Sequence, residues 1–299
     1  MKEKISIDCV VVTYNRLNLL KECINALETQ SYKIEHIFVV NNASTDGTSQ
    51  FLYDEGNSSR VVPIQLKQNI GGAGGFNKGI RAFIENSRSD FVWVMDDDTI
   101  PNLNSLEELV EAANSLENVG FLTSNVRWKD GSPAVMNVPR VSKLWNENLN
   151  DGLVRIKSAS FVSVMFSRNA VLKVGLPISE FFIWGDDVEF TLRIFQNHFD
   201  NYLVSKSYVT HKIAKNNSTN IFNETDVNRI KRYFYSNRNT LFCKKTREGT
   251  KEYIKEIIRQ IYLLFKILFR NKHHTGLKLI TSIRGLFAGL VFNPNIETF

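Results

Sequence analysis

At 299 residues, with 43% apolar and 23% charged side chains, the chain can bury a substantial core and is neither a disordered nor a collagen-like polymer. Its net charge of +6 suits an anionic partner such as a nucleotide, a nucleic acid or an acidic lipid. The three scattered cysteines, Cys9, Cys23 and Cys243, match neither a zinc spacing nor a secreted disulfide framework, which points to a reducing cytosol.

The N-terminal Met1-Lys2-Glu3-Lys4 lacks the apolar core of a signal peptide. No apolar run reaches the roughly 18 residues of a membrane span, so a cytoplasmic location is expected. Residues 5–13 form a β-branched run, and 17–29 place Leu17, Leu20, Ile24 and Leu27 at helical spacing. A second strand is predicted at 34–40, a helix from about Asp46, a strand at 61–66, a helix at 76–87 and a fully buried strand at 90–95. Strands separated by such helices predict a mainly parallel α/β sheet covered on both faces. Beyond residue 100 the alternation fades: a helix is predicted at about 103–117, strand-like pieces at 119–127 and 158–167, a helix after Asp187 and a strand at 202–209. Residues 212–226 read as a polar loop, and from about 227 the pattern is helical and basic. The expected organisation is a catalytic domain over 1–215 and a helical, basic amphipathic region over 216–299.

Each polar cluster of the first half follows a strand, and ligands of open α/β sheets bind outside the carboxyl ends of the strands. Asp96-Asp97-Asp98 ends an apolar strand with three carboxylates that repel one another. A helix cap accounts for one of them, whereas Mg²⁺ or Mn²⁺ accounts for the group and takes phosphate oxygens as well. Thr13-Tyr14-Asn15-Arg16 and the turn from Asn42 to Asp46 are able to hydrogen-bond a base and a ribose, although Asp46 reads equally as a helix cap. The glycines Gly71, Gly72, Gly74 and Gly75 open onto a helix and let backbone N–H groups approach a phosphate or sugar, the alternative being a flexible loop. Trp184-Gly185-Asp186-Asp187-Val188-Glu189 carries three carboxylates at a predicted helix start. Asp187 and Glu189 cannot share one helix face, which leaves one carboxylate free as a base. His211, after the last predicted strand, is a candidate metal ligand through neutral imidazole.

Taken together, these residues resemble the large inverting GT-A glycosyltransferase family 2 over about residues 5–215. The resemblance implies nucleotide binding by Thr13, Tyr14, Asn15, Arg16, Asn42 and Asp46. It implies a DXD-type site in which Asp96, Asp98 and His211 hold Mn²⁺ or Mg²⁺, and Asp187 as the base. Gly71, Gly72, Gly74, Gly75 and Asp97 are expected against the donor sugar and diphosphate, and Trp184, Asp186 and Glu189 against the acceptor. The glycine run, the triple aspartate and Trp-x-Asp-Asp-x-Glu are similar to bacterial galactofuranosyltransferases, and the segment Tyr233 to Asn239 is similar to related rhamnosyltransferases. Gly185 departs from the galactofuranosyltransferase pattern, in which Trp runs directly into Asp-Asp. The implied activity is transfer of galactofuranose from UDP-galactofuranose to a glycan or polyprenyl-linked acceptor in cell-surface polysaccharide synthesis. Transfer of rhamnose from dTDP-rhamnose and an inactive nucleotide-sugar-binding subunit are the alternatives. A nucleotidyltransferase would place its glycines directly after the first strand, where Thr13-Tyr14-Asn15-Arg16 stands instead.

Residues 251–270 carry Ile254, Ile257, Ile258, Ile261, Leu264, Phe265 and Leu268 at helical spacing, followed by the basic Lys272, His273, His274, Lys278 and Arg284. Such helices either pack on the catalytic domain or a second subunit, or lie on the inner face of an anionic membrane. With the positive charge gathered in the tail and no recognition motif present, nucleic acid is not expected as a partner.

Overall fold

The computed structural model describes residues 4–56, 60–217, 220–270 and 273–299. Met1-Lys2-Glu3, residues 218–219 of the predicted polar loop and Lys272 of the tail lie outside the described residues. The first half runs β1 (Ile7–Thr13), α1 (Leu17–Glu28), β2 (Ile37–Asn41), α2 (Thr48–Gly56), β3 (Val61–Gln65), α3 (Gly71–Asn86), β4 (Phe91–Asp96) and β5 (Thr99–Pro101). There follow α4 (Ser105–Ser115), β6 (Val119–Trp128), β7 (Arg140–Val141), β8 (Leu153–Ser158), β9 (Val164–Ser167), α5 (Arg168–Val174), α6 (Asp186–Gln196) and β10 (Asp200–His211). Three further helices, α7 (Val227–Cys243), α8 (Thr250–Arg270) and α9 (Thr275–Val291), form the C-terminal extension.

The strands lie in the order β3-β2-β1-β4-β9-β6-β10-β8-β7, with β5 paired to β10. The sheet is parallel through β3-β2-β1-β4 and between β6 and β10. It is antiparallel at β9, at β5 and toward the β8–β7 edge. Strand periodicity divides the core in two. Ile7, Cys9 and Val11 of β1 with Trp93 and Met95 of β4 pack under Leu20 and Ile24 of α1 and Leu106 of α4. Val10 and Val12 with Val92 and Val94 face Phe76 and Ile80 of α3 and Phe190 of α6 on the other side. A strand buried on both faces has to be apolar throughout, which is why β1 and β4 read as continuous apolar runs.

Several expectations are corrected. Helix α3 begins at Gly71 rather than at residue 76, so the glycine run is its first turns and not a loop ahead of it. The strand-like piece at 158–167 is split between the end of β8 and the antiparallel β9, and β5 and α5 were not foreseen. The polar loop holds a short 3₁₀ turn at Ile221–Asn223. Among the described residues no helix is long and apolar enough to cross a membrane.

The glycines of α3 set its distance from the sheet. A Cβ at Gly79 would lie 2.3 Å from Val10 Cγ1, and one at Gly75 would lie 2.5 Å from Val12 Cγ1. Helix propensity alone favours Gly→Ala by about 0.8–1.0 kcal/mol, whereas overpacking costs about 1–3 kcal/mol, so the clash is expected to win at Gly79. Urea denaturation is therefore expected to show Gly79→Ala losing stability and Gly72→Ala holding or gaining it, since no heavy atom lies within 4 Å of a Cβ at Gly72. Equal midpoints for the two variants would contradict this packing.

Candidate active site

The site starts from register. Val12 pairs with Asp96 across β1 and β4, and Thr13 with Asn41 across β1 and β2, so the polar ends of three strands share one edge. Asp97 and Asp98 form the two-residue link from β4 to β5, and β5 pairs with the last residues of β10, setting His211 opposite Thr99. Asp97 and Asp98 are each 3% exposed, and Asp96 is half-buried.

Burying three adjacent carboxylates requires counter-charge. Arg16, the residue before α1, supplies part of it: its Nη1 donates to Asp97 Oδ1 at 3.2 Å and to Asp98 Oδ2 at 2.5 Å. Thr13 Oγ1 donates to Asp97 Oδ2 at 2.8 Å. Both oxygens of Asp97, the residue expected against the donor sugar, are thus engaged inside the fold. Burial pushes the Asp96 carboxyl well above the usual range, reinforced by the Asp98 and Asp97 charges and opposed by Arg16. Burial also lifts Asp97 to about 6 against the pull of Arg16. At Asp98 burial acts in the same sense, but His211 and Arg16 together outweigh it and hold that carboxyl below the usual range.

His211 is 5% exposed, with Nδ1 2.8 Å from Asn137 Oδ1 and Nε2 3.2 Å from Asp98 Oδ1. With the proton assigned to Nδ1 so that it donates to Asn137, Nε2 presents a lone pair toward a carboxylate oxygen. Asp98 Oδ1 is buried with no hydrogen-bond partner among the described residues. One ligand atom from each of Asp96, Asp98 and His211 lies within 4.8 Å of the others. Two carboxylates and an imidazole oriented by a carboxamide suit Mn²⁺ or Mg²⁺, and a cation there would resolve the two facing acceptors. Asn137 itself escaped the sequence reading, because it sits in an irregular stretch with no periodic signal.

The two polar turns are stitched together above this cluster. Asn15 N–H donates to Ser44 Oγ at 2.9 Å, and Thr45 N–H donates to Asn15 Oδ1 at 2.7 Å. Asp46 accepts from Leu17 N–H at 2.9 Å and from the Thr48 hydroxyl at 2.6 Å, so it ties the start of α1 to the start of α2. Asn42, 2% exposed, donates to the Gly71 carbonyl and accepts from Ile70 N–H, joining the second turn to the glycine run. Tyr14 and Arg16 keep exposed surface at this edge, whereas Thr13 and Asn42 serve from beneath. In the glycine run, Gly74 and Gly75 are buried against Ile70 and Val12, and Gly71, at φ +79°, lies against the Phe182 carbonyl. Gly74 and Gly75, expected against the donor, are thus closely packed, and Gly72 is the glycine of the four that faces open space.

The second acidic group sits on a strained loop. Ile183 N–H donates to the Phe181 carbonyl at 2.7 Å around Phe182, whose φ is 63° and ψ −58°, a γ-turn that L-residues seldom adopt. Trp184 at φ 64° and Gly185 at φ 93° follow, and then α6 begins with Asp186 and Asp187. The buried Asn239 of α7 donates from Nδ2 to the carbonyls of Phe181, Ile183 and Trp184 at 2.9, 3.2 and 2.8 Å. Arg238 reaches the Glu180 carbonyl, and Tyr235 stacks on Phe182 at 4.8 Å. The roles of Asn239 and Arg238 were missed in the sequence, although the segment Tyr233 to Asn239 had stood out there.

Asp186 is 7% exposed and close enough to Asp96 for their charges to repel. Burial, then the Asp187 charge, pushes it up to about 8. Asp187 is half-buried, and burial lifts it to about 6 while backbone N–H donors, Val188 among them at 2.7 Å, pull it down. Glu189, expected at the acceptor, is instead fully buried. It holds Arg193 at 2.8 Å and Arg247 at 2.6 Å, ion pairs that fasten α6 to the segment after α7.

The glycosyl transferase family 2 model matches residues 8–174, and the chain belongs to that family. Galactofuranosyltransferase GlfT1 of Mycolicibacterium smegmatis is 27% identical over 202 residues, which are 62% of this chain and 64% of that protein. The chain thus spans just under two thirds of the length of that relative. Among solved structures, Staphylococcus aureus TarS 1-349 in complex with UDP aligns with a TM-score of 0.57 at 19% identity, covering 89% of this chain and 73% of that one. Mannosyltransferase PcManGT from Pyrobaculum calidifontis, in complex with GDP-Man and Mn²⁺, aligns with a TM-score of 0.55 at 15% identity, covering 98% and 77%. The fold is GT-A, and the family is one of glycosyltransferases.

The three carbonyls held by Asn239 give a stability test. Asn239→Ala leaves buried carbonyls unpaired and is expected to cost about 1–3 kcal/mol in urea denaturation. Asn239→Asp is expected to cost more at neutral pH, since a nearly isosteric carboxylate faces the same three oxygens without N–H donors. An Asn239→Asp variant as stable as wild type would remove the clamp from this account.

Proposed function

We propose that the protein is an inverting glycosyltransferase that moves galactofuranose from UDP-galactofuranose onto a glycan or lipid-linked acceptor. The observation that carries this reading is the Asp96–Asp98–His211 cluster with Asp186 near enough for its charge to act on Asp96, and the half-buried Asp187 next to it in the chain. The likeness to a galactofuranosyltransferase supports the sugar, and the UDP bound to a protein of the same fold supports the nucleotide.

Asp187 takes the proton of an acceptor hydroxyl. The freed oxygen lone pair forms the bond to the anomeric carbon, while the bond from that carbon to the diphosphate oxygen breaks and its electron pair leaves with the diphosphate. Attack opposite the leaving group inverts the anomeric centre. Asp96, Asp98 and His211 would hold Mn²⁺ or Mg²⁺, which would supply positive charge to the departing diphosphate. Tyr14 and Arg16 border the nucleotide, with Asn15, Asn42 and Asp46 fixing the turns around it. Gly72 lets the chain approach the donor, and Trp184 and Asp186 meet the acceptor. A carboxyl titrating near 6 is largely ionised at neutral pH and still basic enough to accept a proton, which is the range in which general bases work well. Its neighbour near 8 keeps its proton there and is suited to donating a hydrogen bond.

The exposed apolar arc of α8, comprising Ile254, Ile258, Ile261, Phe265 and Leu268, is bordered on one side by Lys251, Lys255, Arg259, Lys266 and Arg270. Such a helix lies at the surface of an anionic membrane, and this reading places the enzyme on the cytoplasmic face, where a polyprenyl-linked acceptor presents its sugar.

Two measurements test this reading. Because Asp187 must be ionised to act, kcat/KM with UDP-galactofuranose is expected to fall with decreasing pH through about 6. Asp187→Asn should lose about 10²–10⁴-fold in kcat with UDP affinity retained. A folded Asp187→Asn enzyme with wild-type turnover would exclude Asp187 as the base, and turnover with dTDP-rhamnose in place of UDP-galactofuranose would exclude the sugar. Separately, Mn²⁺ is expected to raise the melting temperature of the wild type and not that of Asp98→Ala or His211→Ala. Full activity after exhaustive EDTA treatment would defeat the metal assignment.

A further inference from the structure

The connection between β8 and β9 touches both acidic groups of the site, and the mechanism above does not use it. On one side it is fastened to α6. Ala159 N–H donates to Thr191 Oγ1 at 3.3 Å, and the Thr191 hydroxyl donates to the Asp187 carbonyl at 2.6 Å. The Phe161 N–H is one of the backbone donors that pull the Asp187 carboxyl down. Ser160 therefore stands between two residues bound to the start of α6. Its own side chain is committed to the other group: Ser160 Oγ accepts from Asn137 Nδ2 at 2.9 Å, and Asn137 Oδ1 faces His211 Nδ1 at 2.8 Å. The short turn Val135–Asn137 that carries this asparagine is clamped to the segment after β10. Val135 N–H donates to Asn216 Oδ1 at 2.8 Å, Asn216 Nδ2 donates to the Pro133 carbonyl at 2.9 Å, and Trp128 Nε1 donates to the Ile213 carbonyl at 2.9 Å.

The chemistry of a carboxamide gives this path its sense. For His211 Nε2 to offer a lone pair beside Asp98, the proton of the neutral imidazole has to sit on Nδ1. That proton needs an acceptor, so Asn137 has to turn its oxygen to the ring and its amino group away from it. The amino group then needs an acceptor of its own, and Ser160 Oγ is the one in place. An amide held at both ends fixes the ring, whereas an amide held at one end rotates and lets the imidazole turn with it. Ser160 is thus two hydrogen bonds from His211 on its side-chain oxygen and one peptide from the Phe161 N–H that serves Asp187. The spacing of the aspartate cluster from the start of α6 passes through this one residue.

We infer that Ser160 is a positioning residue shared by the two halves of the site: through Asn137 it fixes the imidazole of His211 for the cation, and through the peptide that follows it fixes the carboxylate of Asp187. The inference rests on the transferase reading and deepens it. Mn²⁺ affinity of the full chain is measured by calorimetry, and transfer from UDP-galactofuranose is measured at saturating Mn²⁺. Asn137→Ala is expected to weaken Mn²⁺ binding by about 10–100-fold, and Ser160→Ala by about tenfold. Because Ser160 acts on the ring through Asn137, the double variant should bind Mn²⁺ no more weakly than Asn137→Ala alone. Saturating Mn²⁺ should leave Ser160→Ala with a kcat about tenfold low and an unchanged KM for the donor, since Asp187 has lost part of its placement. Ser160→Thr, which keeps the hydroxyl, should restore both properties. Wild-type Mn²⁺ affinity in Ser160→Ala, additive losses in the double variant, or full recovery of kcat at saturating Mn²⁺ would each overturn the inference. A wild type that binds no Mn²⁺ would overturn it together with the metal assignment. A wild type that binds Mn²⁺ and transfers no sugar would sink the transferase reading, and the Mn²⁺ series would still decide the role of Ser160.

Discussion

The constraint on which the rest of the site depends is the burial of three consecutive carboxylates at the end of β4. Water cannot solvate Asp97 and Asp98 at 3% exposure, so the fold must bring charge to them. It brings Arg16, before α1, to pair with both, and from a second distant part of the chain it sets His211, at the end of β10, beside Asp98. Each arrival is fixed by backbone: the stitched turns hold Arg16, and the short pairing of β5 with β10 holds His211. Even then Asp98 Oδ1 is left with no donor, so the protein compensates the negative charge only in part. That uncompensated charge sets the cluster apart from a closed salt bridge and makes it a candidate for a cation.

The first hundred residues were legible because their helices and strands bury faces with clean periods. The apolar runs of β1, β2 and β4 and the helical spacing of α1 follow directly from a sheet covered on both sides. The antiparallel β9 was hidden, since a four-residue strand between β4 and β6 carries no period of its own. Glycine misled for a physical reason: the same absence of Cβ that allows a ligand to approach also allows α3 to sit on Val10 and Val12, and sequence does not separate the two uses. Residue type marked the chemistry but not the direction of each side chain. Asp97 and Glu189 carry the expected carboxylates and point them inward, to Arg16 and Thr13 in one case and to Arg193 and Arg247 in the other.

The C-terminal helices contribute more to the site than their composition suggests. Asn239 and Arg238 of α7 hold the carbonyls of the loop before Asp186, and Arg247 reaches the buried Glu189. Glu297, near the end of the chain, binds Arg81 and Asn77 of α3. The expected division at residue 215 separates a parallel-sheet region from a helical one in composition. In bonding, the loop that presents Asp186 and Asp187 draws on both.

This division of labour bears on the strain at Phe182. A γ-turn at a phenylalanine persists only where surrounding contacts over-determine it, and here three carbonyl bonds to Asn239 and the Tyr235 stack do so. The aspartate cluster stands on the sheet edge, while Asp186 and Asp187 begin α6 behind a strained loop held by α7. A shift of α7 would therefore act on the loop before Asp186 through Asn239, and not directly on the aspartate cluster. The aspartate cluster is set by the register of β1 and β4, while the start of α6 answers to the side chains of α7.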